Sequence, residues 1–292
     1  MFDQTTFQYE RSSSVSSSLW SIWLSVPSRW RAVVYRAALH FLAQPQPLSK
    51  ASRLWGAYFK LCSSSDEALA TEYVRTHTSI PVPKVLDLVR IPPAPHTDHM
   101  WLMLSAGVDG TPLFDRGHRL LAASDEQVQR VCDTLRDWTG QLRRLTSPFG
   151  QRVCGFSGGS FRSFRISQDL VGPFTSLRKL NMLDEMSGPP SELERNPRLA
   201  TLVVAQECRS YRFHLVHGDL LLNNILADEH LRPTALIDWE CAAWMPEYWE
   251  RLASSRGGFL TMWKWRDMRE TIFRAYDEEL ELDREIQLLH GE

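Results

Sequence analysis

The chain has 292 residues, 43% of them hydrophobic and 23% charged, enough for one large domain or two lobes with a sizeable core. A formal net charge of −2 leaves no basic excess, which argues against nucleic acid as the main partner. The five cysteines, odd in number and without a C-x-x-C pair, argue against a disulfide framework and a zinc knuckle and are most simply read as reduced thiols inside a cell.

No apolar run reaches the roughly 18 to 20 residues that cross a bilayer. The start carries Asp3 and Glu10 where a secretory leader carries positive charge, so a cytoplasmic protein is expected. Residues 1–17 are polar and serine-rich and read as disordered or loosely attached. Trp20, Trp23 and Trp30 could seat at a membrane interface, but such a cluster more often packs on its own domain, and a membrane partner is not expected. The stretch RWRAVVYRAALHFLA then sets Trp30, Val34, Ala38, Phe41 and Leu42 along one helical face, too apolar for water and expected to pack on the small lobe, and QPQP at 44–47 ends it. LWGAYFK, 54–60, is strand-like. DEALATEYVRTHT, 66–78, has helical composition with an acidic first turn. Pro81 and Pro83 force an extended path, and HMWLMLSAGVDGTPL reads as a buried strand entering a glycine turn.

Beyond residue 110 the pattern turns helical. Ser124 and Gln127 form a capping box ahead of a stripe of Val128, Val131, Leu135, Trp138, Leu142 and Leu145. Residues 150–195 are rich in loop signals, 198–209 look helical, and 262–289 are helical again. The outline is a small β-rich part followed by a larger helical part that contains a short strand-and-loop insert.

That insert, HLVHGDLLLNNILADEHLRPTALIDWE, runs from His214 to Glu240. Its leucines suggest a buried strand, yet Asp219 and Asn224 interrupt them, and Gly218 precedes the acid. An unpaired buried carboxylate is costly, so these groups should line a cleft or bind a cation. Asp238 follows at the end of the strand-like TALID. A carboxylate and an amide at the ends of neighbouring short strands make an oxygen-rich site suited to magnesium, and a second carboxylate there can accept a proton. The spacing fits phosphoryl transfer.

With HGDLLLNNIL followed by LIDWE, the chain resembles the aminoglycoside phosphotransferase and choline kinase family, relatives of protein kinases, over most of residues 50–250. HTSIPVPKV, GPF at 172–174 and PEYWE at 246–250 resemble the version common in filamentous fungi. The resemblance implies an α+β, two-lobed protein-kinase-like fold that uses ATP and Mg2+ on a small-molecule hydroxyl. It implies that Asp219 orients or deprotonates the acceptor, that Asn224 and Asp238 bind magnesium, and that His217 supports the loop. It further implies that Lys60 holds nucleotide phosphates, that Glu67 holds Lys60, and that the adenine-binding connection lies within Leu104, Ser105, Ala106 and Gly107. The corresponding organisation is an N-terminal extension over 1–47, a small nucleotide-binding lobe over 48–107 and a large catalytic and substrate lobe over 108–292.

No glycine precedes Gly56, so a G-x-G-x-x-G loop is absent from its expected place and LSKASRLWG must serve instead. That departure keeps a second reading open, a pseudokinase that binds or scaffolds with little turnover. A metal-dependent hydrolase using His217 and Asp219 is weaker, since no H-x-H or H-E-x-x-H spacing occurs. The run DEELELDRE, 277–285, reads as a solvated helix face, and the cysteines as buried apolar fillers.

Overall fold

The computed structural model describes residues 15–42, 44–45, 51–54, 57–92, 100–114, 119–181, 196–255 and 262–290. The chain divides into two compact units, Met1–Glu72 with Pro83–Gly107, and Tyr73–Val82 with Val108–Glu292. Most of LSKASRLWG and the SGPPSE stretch lie outside the described residues.

The first unit is built on one antiparallel sheet. Its strands are β1 (Gln44–Pro45), β2 (Ala51–Leu54), β3 (Ala57–Cys62), β4 (Val85–Arg90) and β5 (Trp101–Ala106), in the order β1-β2-β3-β5-β4. Central β5 buries Leu102, Met103, Leu104 and Ser105 in succession, as a strand covered on both faces does. Edge strand β4 alternates, turning Val85, Asp87 and Val89 inward.

Two helices precede the sheet, α1 (Val15–Ser25) and α2 (Ser28–Leu42). Residues 15–17, expected to be loose, fall within α1, while residues 1–14 lie outside the described ones. The packed face of α2 differs from the one its apolar residues predict. Ala32 and Tyr35 are buried and Leu39 half-buried against Phe59, Val89 and Leu102, whereas of the expected stripe Trp30 and Val34 are exposed, Ala38 is half-buried, and the side chains of Phe41 and Leu42 lie outside the described residues. Asp87 decides the rotation. Its buried carboxylate takes an ion pair from Arg31 Nε (3.0 Å), a hydrogen bond from Arg31 Nη2 (3.1 Å) and another from the Tyr35 hydroxyl (2.8 Å). Leaving that carboxylate unpaired costs more than exposing Trp30 and Val34. Trp20 and Trp23 pack on the same core as expected, and the Trp23 indole donates to the Tyr35 oxygen at 2.6 Å.

Helix α3 (Asp66–His77) begins with two acids and ends with Arg75 and His77, matching both ends of its dipole. In the second unit, α4 (Asp125–Leu142) has the expected capping box, with Gln127 N donating to Ser124 Oγ (3.2 Å) and Ser124 N to Gln127 Oε1 (2.9 Å). The loop-rich region contains β7 (Cys154–Gly155), β8 (Phe161–Ser163), β9 (Ser167–Val171) and a short α5 (Leu177–Leu180), following β6 (Thr111–Pro112). Helix α6 (Pro197–Glu207) leads to β10 (Phe213–Val216), β11 (Ile225–Ala227), β12 (Pro233–Leu236) and β13 (Ala243–Pro246). Three small sheets result, β10-β13-β7, β12-β11-β6 and β8-β9.

After β13 come α7 (Trp249–Ala253), α8 (Met262–Ile272) and α9 (Asp277–His290), so the helical tail is broken after Ile272. The acidic run is not a wholly solvated face. Glu279 is buried, accepting from Arg209 (2.8 Å) and Tyr211 (2.6 Å), and Asp283 is buried in an ion pair with Arg165. Four cysteines are buried as expected, and Cys208 is exposed.

Candidate functional site

The H-G-D loop leaves β10, every residue of which is buried and which pairs with β13. Gly218 adopts φ 77°, and a Cβ there would collide with the Cys241 carbonyl, so the turn requires glycine. His217 is fully buried. The Asp219 amide donates to its Nδ1 (3.3 Å), which leaves Nε2 to donate to the Ile237 carbonyl (3.0 Å), and the ring stands edge-on to Trp239. The Asn224 carbonyl accepts from Ile237 N at 2.9 Å, so this one contact region ties the loop to the strand before Asp238.

Beneath the loop lies Glu250 of α7, a residue that enters the sequence reading only as part of PEYWE. Its carboxylate accepts from His217 N (2.6 Å) and Gly218 N (3.1 Å), and also from the Leu220 backbone. Burial raises its pKa from 4.5 to about 7, against the opposing pull of those amides. A glutamate in the first turn of a short helix was the available signal; its partners, more than thirty residues upstream, were not.

Asn224 donates from Nδ2 to both the Asp219 carbonyl and Asp219 Oδ2, each at 2.9 Å, and both residues are buried. Its Oδ1 accepts from Asn223 Nδ2 (2.9 Å), giving that neighbouring asparagine a positioning contact the sequence reading did not assign. Asp238 sits in the left-handed region, φ 68° and ψ 64°, where the chain turns from β12 into a 3-10 turn over Trp239–Cys241. Single oxygens of Asp238 and Glu240 lie within 4.8 Å of each other, and Arg162 Nε is 3.7 Å from Glu240. Burial, and then the carboxylates of Asp219, Glu240 and Asp238, hold the Cys241 thiol well above its usual range, so all three acids bear on one small region. Asn224, Asp238 and Glu240 supply hard oxygen donors only, a set that fits magnesium.

In the first unit, Lys60 Nζ and Glu67 Oε1 form a 2.7 Å ion pair that is largely shielded from water. The Cys62 thiol donates to Glu67 Oε2 at 3.4 Å, fixing the second carboxylate oxygen. Lys60 lies on β3 and Glu67 in the first turn of α3. Leu104, Ser105 and Ala106 end β5. Leu104 and Ser105 are buried, Ala106 is half-buried with its amide donating to Lys84 O (2.8 Å), and Gly107 is exposed.

A phosphotransferase enzyme family model, APH, matches residues 65–288. A comparison with curated proteins gives no match. Among solved structures, a thermostable mutant of aminoglycoside phosphotransferase APH(4)-Ia, in ternary complex with AMP-PNP and hygromycin B, has a TM-score of 0.50 at 18% identity, covering 88% of this chain and 92% of that one. Macrolide 2'-phosphotransferase MphH from Brachybacterium faecium gives 0.48 at 16%, covering 89% and 88%. Choline kinase LicA from Streptococcus pneumoniae gives 0.46 at 11%, covering 87% and 85%. The architecture is thus the mixed helix-and-strand, protein-kinase-like one that the resemblance implied. With a family match that takes in Glu67 and the whole of the His217–Glu250 segment, the chain belongs to the phosphotransferase enzyme family.

Proposed function

We propose that the protein transfers the γ-phosphoryl group of ATP, with magnesium, to a hydroxyl of a small molecule. The observation that carries this reading is the Asp219–Asn224 pair, in which one amide fixes the carboxylate through Oδ2 and through the backbone carbonyl. A carboxylate held in that way is oriented for a hydroxyl proton before the acceptor arrives, which lowers the cost of reaching the transferring geometry. Asp219 takes or aligns that proton. Glu250 and His217 hold the loop backbone so that the carboxylate cannot swing away.

Asn224 and Asp238 would hold the magnesium, with Glu240 beside Asp238. When bound, the ion offsets negative charge on the phosphate oxygens. Lys60, kept in place by Glu67, would contact the nucleotide phosphates, and Leu104–Gly107 would contact the adenine. In this reading residues 48–107 bind nucleotide, 108–292 carry the acceptor chemistry and 1–47 are an extension. The AMP-PNP in the APH(4)-Ia complex supports ATP as donor, and the hygromycin B there supports a small hydroxylated acceptor. Five free cysteines suit the cytoplasm, where ATP is supplied.

Calorimetry with ATP, with and without magnesium, followed by turnover in the absence of any acceptor, tests the proposal. Binding that requires magnesium, with slow hydrolysis to ADP, is expected. Asp219→Asn should cut turnover by a factor on the order of 100 or more with nucleotide binding nearly intact. A folded wild-type chain that neither binds nor hydrolyses millimolar ATP would return the protein to the pseudokinase reading.

A further inference from the structure

Helices α1 and α2 carry two unlike faces. Trp20, Trp23, Ala32, Tyr35 and Leu39 turn toward the core of the first unit. On the other side, Leu19 and Ile22 of α1 and Trp30, Val33 and Val34 of α2 are between 49% and 65% exposed. The 30-33-34 and 19-22 spacings make each set one stripe of its helix. Residues 15–42 contain no aspartate or glutamate. Arg29 stacks over the Trp30 ring, and Arg29, Arg36 and Arg90 of β4 line a cleft of about 510 Å³ with Ala32, Val33 and Ile91. Arg31 is taken up by Asp87. Among the described residues no carboxylate pairs with Arg29, Arg36 or Arg90.

We propose that this face docks on an anionic lipid bilayer, with Trp30, Val33 and Val34 at the boundary between headgroups and acyl chains and the three arginines on headgroup phosphates and carboxylates. Charge complementarity selects the occupant. A chain of net charge −2 concentrates unpaired positive charge beside its exposed apolar stripe, the pattern of a helix that lies in an interface. A second copy is disfavoured, because a two-fold contact through this face would set Arg29, Arg36 and Arg90 against one another. No described helix is long and apolar enough to cross a membrane, so the attachment is peripheral. Trp30 supplies an amphipathic ring suited to the headgroup level.

Co-sedimentation of the full chain with phosphatidylcholine vesicles, with and without phosphatidylserine, is the test. The wild type should pellet only with phosphatidylserine and should be released by salt. Arg29→Gln and Arg36→Gln should each weaken partitioning about fivefold, the equivalent of ~1 kcal/mol per arginine near the surface. Trp30→Ser should weaken it as well. These side chains support no core contact, so unchanged melting curves would show that the variants are folded. Absence of pelleting, equal pelleting with both vesicles, or a doubly substituted Arg29→Gln/Arg36→Gln chain that pellets like wild type would overturn the proposal. So would a stable dimer in light scattering that Val33→Asp dissociates, which would give the face to a second copy.

Discussion

Asp87 and Glu250 are both buried carboxylates, and each holds a segment of chain in place, but their partners differ in kind. Asp87 meets a guanidinium and a phenol on α2, so a charge answers a charge. Glu250 meets only backbone amides of the H-G-D loop, and burial outweighs them enough to raise its pKa to about 7. The first arrangement fixes a helix on a sheet. The second fixes the backbone of the loop that carries Asp219, through amide donors alone. The contrast shows why α2 turned an unexpected face inward: a charge pair has one rotational solution, whereas an apolar stripe tolerates several.

The largest effect should come from removing the charge that answers Asp87. Arg31→Ala leaves a buried carboxylate uncompensated and should cost about 3–5 kcal/mol in urea unfolding. Adding Asp87→Asn should recover part of that loss, and a purely additive double variant would refute the pairing. Next comes Glu250→Gln, which presents one oxygen and an NH2 group to amides that all need an acceptor. It should destabilise by about 1–3 kcal/mol and lower kcat more than it raises KM.

The same variant carries a pH signature. Because the folded-state pKa of Glu250 lies above its ordinary 4.5, its contribution is fully present below pH 4.5 and is lost as pH rises through about 7. Wild-type stability should therefore contain a component that declines across that window, and Glu250→Gln should remove it; parallel pH–stability curves would contradict the burial argument. Tyr35→Phe, which loses a donor to Asp87 and an acceptor for Trp23, should cost about 1–2 kcal/mol by thermal melting. The smallest effect belongs to Val34→Ser, within roughly 0.5 kcal/mol, because that side chain faces out despite its apolar character.

What the sequence disclosed, and what it hid, follows the range of the interactions. The approach of Asn224 to Asp219 was legible because both sit on one short loop, and the Lys60–Glu67 pair because the family resemblance implied it for two residues only seven positions apart. The Ser124 capping box was equally local. The face of α2 was hidden because Asp87, more than fifty residues downstream, decides it. Burial of Glu279 was hidden because Arg209 and Tyr211 lie about seventy residues upstream. In DEELELDRE the composition describes a solvated face correctly for its exposed members and fails where a distant cation is supplied. Glu250 combined both difficulties, a distant partner and a partner made of backbone, which leaves no residue type to recognise.

The contacts that shape the H-G-D loop have a consequence for how the fold can be rebuilt. Gly218 against Cys241, His217 against Ile237 and Trp239, Asn224 against Ile237, and Glu250 against the loop amides are all made between His217 and Glu250. That stretch carries its own scaffolding with it. A chimera that exchanges residues 217–250 as one block with a relative keeps every one of these partnerships paired with its own counterpart, whereas a crossover placed between Asn224 and Ile237, or between Cys241 and Glu250, separates donors from acceptors. Recombination of such enzymes is therefore best cut at β10 and after α7, and the block between them inherited whole.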